Sequence, residues 1–346
     1  MEYVNFGTAG VRVSRLALGL GLRGQRDASA AEDLIRRALD GGVTLFDCAN
    51  VYGLGDDRAH AGRSEEILGR ALGARRDSVV LTTKVVSPVG PGPNDQGGSR
   101  YHILREAERS LRRLGTDRID VYLLHAFDPD TPLEEQLRAL EDLVRQGKVR
   151  YTGVCNYQAW QVCRALWVQE RINAAPLITV QNPYSLLNRS LEAEMFPLVR
   201  ALGLGVMAYA PLGTGLLTGV YAPDAPPPVG TLWSARGQER LQQALEGRPA
   251  GVLQVLQQVA QRLEATVPQV ALAWVLAHPE ITCVISGADD AAQLAENLGA
   301  VSLSLSPEDR ELLDGASAGL GLLLDGAQFS PPRGPVPAPS PPSPGG

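Results

Sequence analysis

The sequence predicts an α/β protein, a (β/α)8 TIM barrel with an N-terminal β-hairpin and a C-terminal extra helix. Eight short apolar runs recur along the chain, and helical patterns lie between them. The runs are rich in Val, Ile and Leu without polar alternation, which is typical of parallel strands buried on both faces. Several helical patterns end in glycine, as helices commonly do. Eight β-then-α units spread over roughly 300 residues fit such a barrel.

The elements follow one another in a simple order. The segment YVNFGTAGVRV alternates around a glycine-containing turn and predicts the hairpin. The predicted strands are RLALGL, VTLFD, VVLTTK, IDVYLLH, VRYTGVCN, LITVQN, LGVMAYA and TCVISG. Residues 305–316 begin with a Ser-Pro cap signal and predict one more helix beyond the eighth unit. We expect residues 1–329 to form the barrel domain and residues 330–346, which are rich in Pro, Gly and Ser, to be a disordered tail.

Composition narrows the range of functions. The formal net charge is −6, which argues against a nucleic-acid-binding protein or one that binds an anionic membrane. No stretch approaches the roughly 18 consecutive apolar residues of a membrane span. The first ten residues have no apolar region, so we expect no signal peptide. Four scattered cysteines without a CxxC pair are typical of reduced thiols, and we expect a cytoplasmic protein.

Polar residues close most of the predicted strands. Because βα-loops surround one mouth of such a barrel, we expect these residues to converge there. The second to seventh strands end, in order, at Asp47, Lys84, His125, Cys155–Asn156, Gln181–Asn182 and Tyr209. A single polar strand end means little, because every strand must return to water. Three titratable residue types on three successive strands favour a catalytic site.

Tyr52 lies five residues after Asp47 and completes a proton-donating group of four. We expect the ammonium of Lys84 to lower the pKa of Tyr52, and Asp47 to keep that ammonium charged and in place. His125 can hydrogen-bond a carbonyl oxygen and orient it. The four side chains therefore suit protonation of a developing alkoxide. A Schiff base on Lys84 is an alternative that the sequence leaves open. No zinc-ligand spacing and no nucleophile elbow are present.

A proton donor needs a hydride source to make an alcohol, and two loops suit a dinucleotide. The loop APLGTGLLTG, residues 210–219, follows the seventh strand, and SGADDAAQLAENL, residues 286–298, follows the eighth. In the second loop a glycine turn opens a helix, so we expect free N–H groups for a phosphate. Barrels often bind phosphate at these two positions.

The stretch GLGLRG, residues 19–24, matches the G-x-G-x-x-G pattern of a dinucleotide-binding βαβ unit. Asp47 also lies 23 residues after Gly24, where such units place an acidic residue. We interpret the match as accidental, because the residues QRDAS separate the last glycine from the helical pattern. The β-then-α unit also repeats beyond the six strands of that fold.

Taken in order, these segments resemble the aldo-keto reductase superfamily from about residue 3 to residue 316. LFDCANVYG resembles the family's Asp-Thr-Ala-x-x-Tyr-Gly pattern, and RSEEILGRAL, TTK, IDVYLLH, VRYTGVCNY, VQNPYS, YAPLGTGLLTG and SGADDAAQLAENL follow in the family order. The loop at residues 92–103 is most similar to the branch with bacterial aldehyde reductases and β subunits of voltage-gated potassium channels. That branch favours a homo-oligomer.

The resemblance implies a role for each site residue. Tyr52 would be the proton donor, Asp47 and Lys84 would tune it, and His125 would orient the carbonyl. The implied cofactor-binding residues are Cys155, Asn156 and Gln181 at the carboxamide, Tyr209 against the nicotinamide ring, Ala210, Pro211, Leu212, Gly213, Gly215 and Leu216 along the pyrophosphate, Arg236 in the long loop, and Gly287, Asp289, Gln293, Glu296 and Asn297 at the adenosine end.

Four residues depart from the family pattern. Cys48 replaces Thr, and Cys155 replaces a Ser that helps to hold the carboxamide; a thiol is the weaker donor. Val220 and Asp289 replace residues that favour the 2′-phosphate of NADP(H). The family implies NADP(H), but an acidic residue suits a free 2′-hydroxyl. We therefore expect NAD(H) to serve as well or better.

The sequence leaves two functions open. The first is NAD(P)H-dependent reduction of a small-molecule aldehyde or ketone, or the reverse oxidation. The second is a cofactor-binding, redox-sensing regulatory subunit with little turnover. The complete set of Asp47, Tyr52, Lys84 and His125 favours an oxidoreductase. Neither reading needs a bound metal.

Overall fold

The fold is a closed barrel of eight parallel strands, as the sequence predicts. The computed structural model describes residues 1–22, 24–25, 27–56, 60–222 and 225–321. The predicted tail at residues 330–346 lies outside them. Strands β1 (Tyr3–Asn5) and β2 (Arg12–Ser14) form the antiparallel hairpin, and the barrel contains β3 (Leu16–Gly19), β4 (Leu45–Asp47), β5 (Val80–Val85), β6 (Ile119–Leu124), β7 (Val149–Cys155), β8 (Leu177–Pro183), β9 (Gly205–Tyr209) and β10 (Ile281–Ser286).

Helices surround this barrel. They are α1 (Ala28–Asp40), α2 (Arg63–Leu72), α3 (Arg100–Leu114), α4 (Leu133–Arg145), α5 (Ala159–Arg171), α6 (Met195–Leu202), α7 (Leu232–Arg236), α8 (Gln238–Leu245), α9 (Arg248–Arg262), α10 (Val267–Leu276), α11 (Ala291–Gly299) and α12 (Pro307–Ser317). Their inward faces pack on the outside of the barrel in one large apolar cluster. None of the helices in the described ranges is long and apolar enough to span a bilayer.

A second apolar cluster fills the inside of the barrel. Leu45, Val121, Leu123 and Met207 point inward from three strands and are fully buried. Phe6, between β1 and β2, belongs to the same cluster, so the hairpin covers the N-terminal end of the barrel. With that end closed, the opposite mouth is where the loops can form a site.

The helix predicted beyond the eighth unit is α12. Ser306 and Asp309 form a capping box at its start, as the Ser-Pro signal predicts. The indole of Trp274 in α10 donates a hydrogen bond to Asp314, 3.0 Å away. This contact joins α12 to the outer layer of the barrel.

The long loop to which the sequence analysis assigned Arg236 contains two helices, α7 and α8. Thr231 caps α7 by accepting a hydrogen bond from the Ser234 backbone N–H. Trp233 is 3% exposed, and its indole nitrogen donates to the carbonyl of Thr214. The short helix forms because it packs on the loop after β9, a contact that local sequence patterns do not reveal.

Candidate active site

A cavity of about 260 Å3 lies at the C-terminal mouth of the barrel. Its walls come from the ends of the strands, from α1 and from the loops after β3, β4, β8, β9 and β10. Ten of the predicted site residues line it, namely Asp47, Tyr52, His125, Asn156, Gln181, Tyr209, Ala210, Gly213, Gly287 and Asp289. Parallel strands bring these residues together because their carboxyl ends share one edge.

Asp47 and Lys84 form a buried ion pair at the floor of this cavity. The Nζ atom of Lys84 lies 2.7 Å from Oδ2 of Asp47 and 2.8 Å from the carbonyl oxygen of Cys48. Thr82 and Gln181 donate to the other carboxylate oxygen of Asp47. Burial disfavours the Lys84 ammonium, but the charge and hydrogen bond of Asp47, together with Tyr52 and Cys155, outweigh burial and raise the Lys84 pKa. Lys84 is therefore a fixed cation.

Tyr52 stands over this pair on the loop after β4. Its hydroxyl oxygen lies 3.3 Å from Nζ of Lys84 and 3.4 Å from Nε2 of His125. The loop is held because Tyr52 N–H donates to Ala49 and the Tyr52 carbonyl accepts from Ser64 at the start of α2. The Tyr52 hydroxyl therefore lies between the Lys84 ammonium and the His125 imidazole.

Lys84 lowers the pKa of Tyr52, as predicted, but its effect is not the largest one. Burial disfavours the phenolate more strongly, and the net result is a Tyr52 pKa raised to about 12. The sequence could not reveal this, because the desolvation of the phenol depends on chain segments far from residue 52. Tyr52 therefore holds its proton at neutral pH and is ready to donate it.

His125 is 1% exposed and follows β6 directly. Its backbone N–H donates to Val85, and its carbonyl accepts from the Asn156 side chain at 2.9 Å. The ring packs edge-on against Tyr52, with 5.7 Å between the ring centres. Ser87, which the sequence analysis did not single out, lies 3.0 Å from Nδ1 on the buried side of the ring.

Amide side chains lie beside Asp47, Tyr52 and His125. Asn156 adopts a left-handed backbone (φ 58°), and its Oδ1 accepts from the Tyr209 hydroxyl at 2.7 Å. Gln181 uses Nε2 for Asp47, which leaves its Oε1 as the atom that can accept from a ligand amide. Cys155 lies deeper, fully buried in the cluster inside the barrel, and burial raises the pKa of its thiol.

The loop after β9 presents backbone and one hydroxyl to the cavity. Ala210, Gly213 and Thr214 line it, and all three have positive φ. Oγ1 of Thr214 is buried without a hydrogen-bond partner within the described residues. Of the other residues predicted here, Leu216 is fully buried in the outer apolar cluster, and Pro211, Leu212 and Gly215 are not part of the cavity wall. A polar ligand would satisfy the Thr214 hydroxyl.

The loop after β10 differs from the expectation of free N–H groups. Asp290 caps α11 and accepts from the backbone N–H groups of Ala292 and Gln293. Asp289 lies at the rim of the cavity, and its carboxylate accepts from the backbone N–H of Gly24. A Cβ atom at residue 24 would overlap that carboxylate. Burial, followed by the charge of Asp290, raises the pKa of Asp289. This end of the groove is acidic.

Four predicted cofactor residues lie away from the cavity wall. Arg236 lies over the ring of Trp233, 5.0 Å from its centre. Asn297 is buried and donates to the Gly287 carbonyl, and Gln293 accepts from the backbone N–H of Asp289. The backbone carbonyl of Glu296 accepts from Gln269. In this structure Asn297 and Gln293 support the loop that carries Gly287 and Asp289.

The cavity wall also contains residues that were not predicted as site residues. Residues from the first barrel loop and from the segment after β8 face the same space, namely Leu20, Gly21, Leu22, Tyr184, Ser185 and Asn188. The position of PYS directly after the sixth predicted strand was a signal for the second group, because it places these residues at the same mouth.

Comparisons with known proteins agree with this geometry. Residues 15–318 match the model of the Aldo/keto reductase family. An "uncharacterized oxidoreductase YrpG" of Bacillus subtilis (strain 168) is 39% identical over 329 residues, covering 93% of this chain and 97% of that protein. A "probable voltage-gated potassium channel subunit beta" of Oryza sativa subsp. japonica is 35% identical, covering 89% and 94%. Its namesake in Arabidopsis thaliana is 34% identical, covering 88% and 92%. The chain belongs to the Aldo/keto reductase family.

Proposed function

We propose that this protein reduces an aldehyde or ketone to the alcohol with a reduced nicotinamide cofactor, or catalyses the reverse oxidation, and that Tyr52 supplies the proton. The observation that carries the proposal is the position of the Tyr52 hydroxyl, 3.3 Å from Nζ of Lys84 and 3.4 Å from Nε2 of His125 at the cavity floor. A phenol with a pKa of about 12 is protonated before reaction, so it is a donor rather than a base in the reducing direction.

The groove has features that suit a nicotinamide dinucleotide. Gln181 Oε1 and the amide of Asn156 can hold a carboxamide, and Tyr209 offers a ring beside them. The hydroxyl of Thr214 is buried and has no hydrogen-bond partner in the part of the chain that the structure describes, so it suits a polar group such as a phosphate oxygen. When bound, the cofactor would supply the hydride that reduces the carbonyl carbon.

The chain's own residues would perform the proton chemistry. Tyr52 and His125 both face the point at which a carbonyl oxygen would lie, so each can donate a hydrogen bond to it. As negative charge develops on that oxygen, the Lys84 ammonium stabilises the phenolate that Tyr52 becomes. Asp47 holds the ammonium in place through the 2.7 Å contact. Apolar groups from Leu18, Leu20 and Leu22 help to exclude water.

A Schiff base on Lys84 receives less support. Lys84 is fully buried, has a raised pKa and is enclosed by Asp47, the Cys48 carbonyl and Tyr52. A Schiff-base lysine must be neutral to attack, and these neighbours favour the ammonium.

The acidic end of the groove favours NAD(H) over NADP(H). Asp289 lies at the rim, and Asp290 already accepts from the N–H groups of Ala292 and Gln293 in the first turn of α11. A 2′-phosphate at this end would meet two carboxylates, whereas a free 2′-hydroxyl could donate to one of them. We therefore propose NAD(H) as the better cofactor.

Turnover of a simple aromatic aldehyde tests the proposal. Purified full chain is mixed with 4-nitrobenzaldehyde and either reduced cofactor, and consumption is followed by nicotinamide absorbance. Tyr52→Phe should lower kcat by about 10²- to 10⁴-fold, while binding of the reduced cofactor, measured by fluorescence, stays unchanged. Equal slow rates for wild type and Tyr52→Phe would reject the enzyme assignment.

The relatives named as potassium channel β subunits support a second candidate. In that case the chain would bind the cofactor and report its redox state to a partner, with little turnover. Tight cofactor binding without Tyr52-dependent reduction of any aldehyde or ketone in a panel would favour this candidate.

A further inference from the structure

We propose that Ser87 is a positioning residue that sets the tautomer of His125, so that the imidazole presents its proton at Nε2 toward the cavity. Ser87 is fully buried, and its Oγ lies 3.0 Å from Nδ1 of His125. On the other side of the ring, Nε2 lies 3.4 Å from the Tyr52 hydroxyl. The consequence for catalysis rests on the proposed function, whereas the tautomer itself does not.

A count of protons decides the direction of the hydrogen bond. A serine hydroxyl carries one proton and two lone pairs, and a neutral imidazole carries one proton on one of two nitrogens. The bond to Nδ1 is the one hydrogen bond that the Ser87 hydroxyl makes within the described residues. If Nδ1 donated to Ser87, the serine proton would be left buried without an acceptor.

An unsatisfied buried donor costs about 1–3 kcal/mol. If instead Ser87 donates to Nδ1, both groups are satisfied and the imidazole proton resides on Nε2. At about 1.4 kcal/mol for each factor of ten, the preference for this tautomer is roughly 5- to 150-fold. Ser87 can therefore decide which imidazole nitrogen carries the proton.

The backbone before Ser87 is strained in a way that supports this role. Val86 has φ 100°, a region that β-branched residues very rarely occupy. Its carbonyl accepts from Gly97 N–H, and the carbonyl of Val85 accepts from His125 N–H. Backbone strain of this kind persists only where the surrounding structure fixes the conformation, and strained residues are found most often at functional sites. Here the turn brings residue 87 beneath the ring of His125.

The tautomer matters for the proposed reaction. With its proton on Nε2, His125 can donate to a carbonyl oxygen alongside Tyr52. With the proton on Nδ1, the lone pair of Nε2 would face the lone pairs of that oxygen and repel it. The mutant pair Ser87→Ala and Ser87→Cys separates these cases, because Ala removes the donor and Cys retains a weak one of similar shape.

Nitrogen-15 NMR of histidine-labelled full chain tests the proposal directly. The sequence has four histidines, so His125→Asn identifies the His125 signals by their loss. At pH 7 we expect wild type to show an unprotonated Nδ1 and a protonated Nε2, and Ser87→Ala to shift His125 toward the other tautomer. A wild-type spectrum with Nδ1 protonated, or with an imidazolium, would overturn the proposal even if the variants fail to fold.

Kinetics provide the second readout. Ser87→Ala should lower kcat about tenfold without changing the KM of the cofactor, and Ser87→Cys should recover part of the loss. An unchanged kcat in Ser87→Ala would contradict the catalytic consequence. If wild type turns over no aldehyde, ketone or alcohol while the NMR shows the predicted tautomer, the proposed function fails and the assignment of the tautomer to Ser87 stands.

Discussion

The Nζ atom of Lys84 lies 2.7 Å from Oδ2 of Asp47, and the exposed fractions of the two side chains are 0% and 5%. A buried pair of this kind is a weak source of net stability, but removing one partner leaves an uncompensated charge in the interior. The pair therefore couples the stability of the barrel mouth to the proposed proton donor above it.

Removing the Asp47 carboxylate alone should destabilise the fold, whereas removing both the Asp47 and the Lys84 charges should cost much less. Asp47→Asn leaves the Lys84 ammonium buried beside an amide, and we expect the free energy of unfolding to fall by about 3–5 kcal/mol. The double variant Asp47→Asn/Lys84→Met should recover most of that loss. Urea unfolding measures the free energy of unfolding of the single and the double variant. Asp33→Asn, in an exposed pair with Arg37, is the control and should change little. Additive losses in the double variant would contradict the prediction.

The raised pKa of Tyr52 predicts a defined pH dependence. The pKa is about 12 in the folded protein and about 10 in the unfolded chain, so the folded state holds the proton more tightly. This contribution to stability is fully present below about pH 10 and is lost as pH rises toward about 12. Tyr52→Phe lacks it. We expect the free energy of unfolding of wild type to fall more steeply than that of Tyr52→Phe in this window, and parallel curves would rule out the raised pKa.

The charge of Asp289 should govern cofactor choice. Asp289→Asn keeps an oxygen that can accept from Gly24 N–H but removes the charge, and Asp289→Ser removes most of the side chain as well. Because one unit charge at contact distance is worth about 1 kcal/mol or more, either change should raise kcat/KM for NADPH relative to NADH by roughly fivefold or more. If wild type already prefers NADPH strongly, or if the ratio does not move, the acidic rim does not select the cofactor.

A second buried carboxylate lies behind the site, and its ion pair allows a similar prediction. Glu65 in α2 is fully buried, accepts from Thr83 Oγ1 and pairs with Nε of Arg113 at 2.6 Å. Arg113→Met should lower the free energy of unfolding by about 3–5 kcal/mol, because it leaves the buried Glu65 carboxylate without the cation it pairs with. Arg138→Met, which breaks an exposed pair with Glu134, is the matched control. Similar small losses in both variants would count against this assignment.

The positions of Asp47, Lys84 and His125 show how much of the site could be predicted from the sequence. Each residue follows an apolar run, and parallel pairing in register, such as Asp47 with Thr82, brings the three to one mouth. Once the runs are identified as parallel strands, the geometry of the barrel makes this convergence a necessity. The capping box at Ser306 joins residues that are three positions apart, so the start of α12 could also be predicted from the sequence.

Other parts of the site depend on contacts between distant segments. Asp289 meets Gly24, α7 forms against Thr214, and Ser87 lies beneath His125 only because a strained turn at Val86 brings it there. None of these contacts leaves a periodic signal. Loop conformation follows from packing between segments far apart in the chain.

By itself, the sequence determined the barrel, the order of its strands and the group of polar residues at its mouth, because the strand pattern is local and repeats along the chain, and parallel strands of a barrel end at one mouth. Only the tertiary structure decided that burial raises the pKa of Tyr52, that Asp290 already uses the N–H groups of Ala292 and Gln293, and that Ser87 faces Nδ1 of His125. Desolvation and hydrogen-bond partnership are sums over atoms from many segments, so they take definite values only once the chain is folded.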